Sequence, residues 1–238
     1  MSLIKEITNN YVIHTLTYTK EGSHYLKLFD WSTNRIMQPL VRHPLVIDKG
    51  EKWLPQLLEE VREEFIWLIL EIPFIGYKNI WKMNLVAATA FLAFYNVLKD
   101  KGWMAEEIGQ IIQLIVETFC NAFPSWMRRL AGRRQFSLGM MRKLLNGAVQ
   151  SQLRQYDGDW VYKVIPGDND FDYGVDIYHC AIVKFFQTHD AQELTPFLCS
   201  IDHFMAQAMG YQFKRNGELA NGASCCDCRY IHGRGKNV

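Results

Sequence analysis

No uncharged apolar run in this sequence is long enough to cross a bilayer. The longest, Leu85–Tyr95, falls well short of the ~20 residues that a spanning helix needs. Charge of one sign is also lacking. Lys and Arg number 26 and Asp and Glu 25, leaving +1, so nothing global draws the chain to nucleic acid or to a membrane surface. The opening MSLIKEITNN has no apolar stretch of the signal-peptide kind, and a cytoplasmic location is expected. Internal repeats and long linker tracts are missing too, so the 238 residues are read as a single α+β domain. Its composition, 49% apolar and 21% charged, excludes a disordered chain. A chain of this size buries enough surface to fold without a metal or disulfide staple.

The expected architecture is a helical N-terminal half packed on a small mixed or antiparallel sheet from the C-terminal third. Residues 1–50 are read as an N-terminal arm, with an extended stretch at Tyr11–Tyr18 and punctuation at Pro39 and Pro44. Residues 51–156 form the helical part. Leu54, Leu57, Leu58, Val61, Phe65, Leu68 and Ile69 recur at helical steps, with Glu59, Glu60, Glu63 and Glu64 on a solvated side. A second helix, Asn79–Asp100, is apolar almost all round, as a central helix would be. A third is expected over Ala105–Ala122. From Thr118 to Tyr156 there is no Asp or Glu. This stretch reads as a solvated loop and then a basic helix from Phe136 to Gln155, with an anion site as the sharper alternative. Residues 157–238 form a cysteine-containing α+β part. Strands are expected near Gly158–Ile165, Tyr211–Arg215 and Ser224–Ile231, and a strand turning into helix over Asp176–Gln187. Another helix is expected at Gln192–Met209.

Six cysteines are present. Outside a secretory setting they read as chemistry, metal or burial rather than as a disulfide framework. On a helix, Cys199, Asp202 and His203 stand at i, i+3 and i+4 and share one face. A thiol, a carboxylate and an imidazole on one ridge suit nucleophilic and acid–base chemistry. In a strand, Cys226, Cys228 and Tyr230 face one way and Cys225, Asp227 and Arg229 the other. The spacing of Cys225, Cys226 and Cys228 is wrong for a zinc knuckle, although a zinc site drawn from Cys180, Cys199 and Cys226 stays open. The acidic run Asp168–Asp172 lacks the glycine and terminal glutamate of a calcium loop.

From His179 to Tyr230 the chain resembles the L-2-amino-thiazoline-4-carboxylic acid hydrolase family. The resemblance lies in YHCAIVKFF with Cys180, in ELTPFLCSID with Cys199 and Asp202, and in FKRNGELANGASCCDCRY with Arg215, Leu219, Ala220, Gly222, Cys226 and Asp227. Upstream, IPFIGYKNIWKMN and FYNVLKDKGWMAEEIG extend it back to about Glu59. The family usually shows threonines where this chain has Asn216 and Glu218, a second glycine at Ala223 and Phe at Cys228. The resemblance implies a hydrolase that opens a cyclic amidine-type C–N bond of a small amino-acid-derived metabolite. It needs no cofactor and acts on a small-molecule substrate, with a homo-oligomer left open. In that reading Cys199 or Cys226 is the nucleophile and Asp202 the base or amidinium partner. His179 or His203 carries the proton, Arg215 or Arg229 binds a carboxylate, and Cys180 and Asp227 add substrate contacts. The alternatives are a diverged enzyme performing ring closure or group transfer, and a non-catalytic small-molecule binding module.

Overall fold

The computed structural model describes residues 20–50 and 52–233; the expected extended stretch at Tyr11–Tyr18 lies outside them. The architecture is α+β. Helices dominate up to Ser151, and a four-stranded antiparallel sheet lies in the C-terminal part. No helix among the described residues is long and apolar enough to cross a membrane. The chain divides into two compact units, one holding the described residues up to Ile72 with Asn84–Phe119, the other Pro73–Met83 with the described residues from Cys120 on.

The first unit is helical. Helix α1 covers Lys20–Val41, α2 Pro44–Ile47 and α3 Trp53–Ile69, and most of α4 (Lys82–Asp100) and α5 (Ala105–Asn121) belongs here. Helix α1 departs from the expected arm. Its buried Tyr25, Leu26, Phe29, Ile36 and Leu40 follow a helical stripe, and Pro39 sits close enough to the C-terminus to be tolerated there. Phe29 stacks on Phe65 of α3 at 4.9 Å, and Arg62 grips Asp30 through two bonds of 2.7 and 3.2 Å. Helix α3 buries the apolar positions its periodicity predicts. Its glutamates face outward, apart from half-buried Glu64, which accepts from Asn96 Nδ2 at 2.7 Å.

The second unit carries helices α6 (Ser125–Gln135) and α7 (Leu138–Ser151), strands β1 (Val161–Pro166) and β2 (Tyr173–His179), and helices α8 (Ala181–Thr188) and α9 (Thr195–Met209). Strands β3 (Gln212–Lys214) and β4 (Cys226–Ile231) complete it. The expected loop before residue 136 is instead α6. Pro124 stands at its N-cap, where a fixed φ and a missing N–H cost little, and the arginines behind it are good helix formers. Helix α7 is shorter than expected because Ser151 turns its hydroxyl to β1: it receives the Tyr162 N–H at 3.2 Å.

The sheet order is β1-β2-β4-β3. Val175 pairs with Cys228, Ile177 with Cys226, and Phe213 with Tyr230. Directly paired residues project to the same side, so Val175, Ile177, Cys226, Cys228, Tyr230 and Phe213 share one face. Asp176, Asp227, Arg229 and Lys214 share the other.

Helix α9 packs on α6 and β3. The α6 approach depends on Gly132, where a Cβ would lie 2.1 Å from the Met209 carbonyl oxygen. Gly132→Ala is therefore expected to destabilise the protein by roughly 1–3 kcal/mol, read as a lower urea midpoint. At Gly139 an added Cβ meets nothing within 4 Å, and Gly139→Ala should stabilise by about 0.5–1 kcal/mol.

Candidate functional site

Helix α9 places Cys199, Asp202 and His203 on one ridge, as the spacing predicts. The site is organised around Arg215, which follows β3 and whose side chain is only 3% exposed. Its Nη1 donates to Asp202 Oδ2 at 2.7 Å, and its Nη2 to the Cys199 carbonyl at 2.6 Å and to Glu218 Oε1 at 2.7 Å. Nε also donates to Glu218 Oε1, at 2.9 Å. The charge of the same guanidinium also acts on the Cys228 thiol. Burial pulls the Arg215 pKa down, but Asp202 outweighs it and the net shift is upward. The guanidinium plane also lies over Phe213, 5.3 Å from the ring centre.

Three thiols from separate elements lie in this region. Cys180 stands at the N-cap position of α8, Cys199 comes from α9 and Cys226 from β4. They are close enough for charge on one to act on another: Cys180 on Cys199, and Cys226 on Cys180. Burial pushes all of them up. Cys180 rises to about 11, with the Val183 and Ile182 N–H groups and Trp160 opposing. Cys199 rises further, against the pull of Arg215. Cys226 also rises, although the Leu219 N–H donates to its sulfur at 3.2 Å. Cys228 reaches about 12. No group of three or more Cys, His, Asp or Glu among the described residues forms a metal-binding cluster.

The remaining expected site residues are placed differently. His203 follows Asp202 and stacks edge-on against Phe213 at 4.9 Å. His179 holds the Asp159 carbonyl through Nδ1 at 2.7 Å. Arg229 lies on the far face of the sheet, paired with Asp176 at 2.7 Å. Asp227, on that face too, receives the Asn216 and Gly217 N–H groups at 2.8 and 2.6 Å. Burial raises the Asp227 pKa, but those N–H bonds prevail and hold it below the usual carboxylate range. It thus fixes the turn that carries Glu218. Arg215, expected to receive a substrate carboxylate, already holds two carboxylates of the protein. Glu218 was missed as a site residue, although its place three residues after an arginine is a usable signal. A groove of about 500 Å³, lined by His203, Tyr211, Phe213 and Lys214 among others, borders the ridge on the β3 side.

A single buried guanidinium, shared by two carboxylates and with thiols nearby, organises this part of the α+β frame. The chain belongs to the L-2-amino-thiazoline-4-carboxylic acid hydrolase family, whose model matches residues 83–230. That family carries a hydrolase activity in its name. No curated protein and no solved structure matches the chain.

Two outcomes are expected. The raised thiol pKa values leave little thiolate at neutral pH, so iodoacetamide should label Cys180, Cys199 and Cys228 slowly near pH 7 and faster as pH rises through about 10. Asp227→Ala should lower stability by about 1 kcal/mol through the lost turn bonds. Because the folded pKa of Asp227 is depressed, its contribution is present above the unfolded carboxylate value and lost as pH falls through the folded one. Denaturation curves of wild type and variant should therefore converge in acid.

Proposed function

We propose that the protein hydrolyses a C–N bond in a small cyclic amidine-type or amino-acid-derived metabolite, with its chemistry at the cluster around Arg215. The observation that carries this reading is the convergence of Cys199, Asp202 and Cys226 on one guanidinium. Family membership supports the reaction class. An amidine carbon needs a nucleophile, and the departing ring nitrogen needs a proton. Asp202, more than half exposed, pairs with the amidinium and sets its carbon against the Cys199 or Cys226 sulfur. A cation held there favours the thiolate, so the nucleophile forms as substrate binds. Sulfur then bonds to carbon, the C–N bond breaks and His203 delivers the thiol proton to the leaving nitrogen. Water cleaves the new C–S bond and restores the thiol.

A non-catalytic binding module is the second reading, favoured by thiols that all stand above neutral without a ligand. Turnover separates the two. Asp202→Asn should cut kcat/KM by about 100-fold or more. It should also speed alkylation of Cys199, because it removes an anion that opposes the thiolate. Cys199→Ala should abolish turnover where Cys199 is the nucleophile, and Cys226→Ala where Cys226 is. Full activity in both Asp202→Asn and Cys199→Ala would overturn the site assignment.

A further inference from the structure

We propose that Glu218 makes this site a receptor for cationic cyclic amidines that carry no carboxylate, so that the substrate is a decarboxy counterpart of an amino-acid-derived heterocycle. The reaction class rests on the hydrolase reading above; the charge argument stands on the geometry alone.

A guanidinium offers five N–H donors and no acceptor. In Arg215, Nε–H goes to Glu218. Nη2 serves Glu218 and the Cys199 carbonyl, and Nη1 serves Asp202. Four of its five N–H groups are thereby engaged. The group is also walled in, at 3% exposure. An incoming carboxylate finds no open path to the positive charge. Glu218 is itself fixed, since its Oε2 receives Asn221 Nδ2 at 2.7 Å and its side chain is 20% exposed.

The charge count gives the same result. One guanidinium and two carboxylates sum to one excess negative charge. The exposed member is Asp202, 55% exposed, whose Oδ1 has no partner among the described residues. The group offered to solvent beside the thiols is thus a carboxylate oxygen, which accepts N–H from an amidinium and repels another carboxylate. The strand register removes the other arginine of this part of the sheet. Arg229 projects from the opposite face of the sheet and is already paired with Asp176.

The test uses the full chain and two probes, 2-amino-2-thiazoline and 2-amino-2-thiazoline-4-carboxylate. Binding is read by calorimetry and ring opening by mass spectrometry. Wild type should bind the carboxylate-free probe about tenfold more tightly or better. Glu218→Gln, which keeps the shape and removes the charge, should narrow that ratio mainly by improving the carboxylated probe. Equal or tighter binding of the carboxylated probe by wild type overturns the inference. So does failure of both probes to bind, or an unchanged ratio in a Glu218→Gln protein with wild-type circular dichroism. Preferential binding of the carboxylate-free probe without ring opening overturns hydrolysis and leaves the charge inference standing. Opening of both rings with equal kcat/KM does the reverse.

Discussion

A guanidinium buried almost completely is the constraint on which the second unit depends. Taking such a charge out of water costs several kcal/mol unless acceptors replace the lost solvation. Arg215 finds them on two segments. Asp202 and the Cys199 carbonyl come from α9 and Glu218 from the turn after β3, the strand that Arg215 itself follows. Removing one partner from a buried pair of this kind costs roughly 3–5 kcal/mol. The network therefore ties the helix, the turn and the strand to one another.

The sheet divides the chemistry into two faces. Antiparallel pairing puts Cys226 and Cys228 beside Ile177 and Val175, where burial holds the thiols protonated. The same alternation sends Asp227 and Arg229 outward. There they serve the fold: Arg229 locks β4 to β2 through Asp176, and Asp227 anchors the Glu218 turn. A one-residue slip in register would exchange the two sets. Gly174, whose added Cβ would meet the Arg229 side chain at 2.9 Å, leaves room for that cross-strand pair.

Much of the fold was legible because its signals are local. The stripes of α3, α4 and α9 follow the helical period, and Gly210 closes α9 in a left-handed conformation. Helix α1 carries an equally regular stripe, but Pro39 and Pro44 suggested a broken arm. A proline near a helix C-terminus disrupts less than its mere presence implies. The run of arginines after Pro124 likewise suggested a loop, since charge pattern alone does not separate a solvated loop from a solvated helix. In the site, the ridge Cys199–Asp202–His203 and the strand parity of Cys226 and Cys228 could be read directly. The role of Arg215 could not, because its acceptors lie three, thirteen and sixteen residues away, and no one-dimensional spacing says which of them it meets.

By itself the amino-acid order determined the periodicities, and with them the helices, the strands and which side chains share a face, since each depends on neighbours within a few residues. The tertiary structure alone decided that Arg215 is enclosed by two carboxylates rather than open to a ligand, and that Arg229 turns away from the thiols. Those outcomes depend on desolvation and on charges brought together from distant segments, and these arise only when the chain has closed.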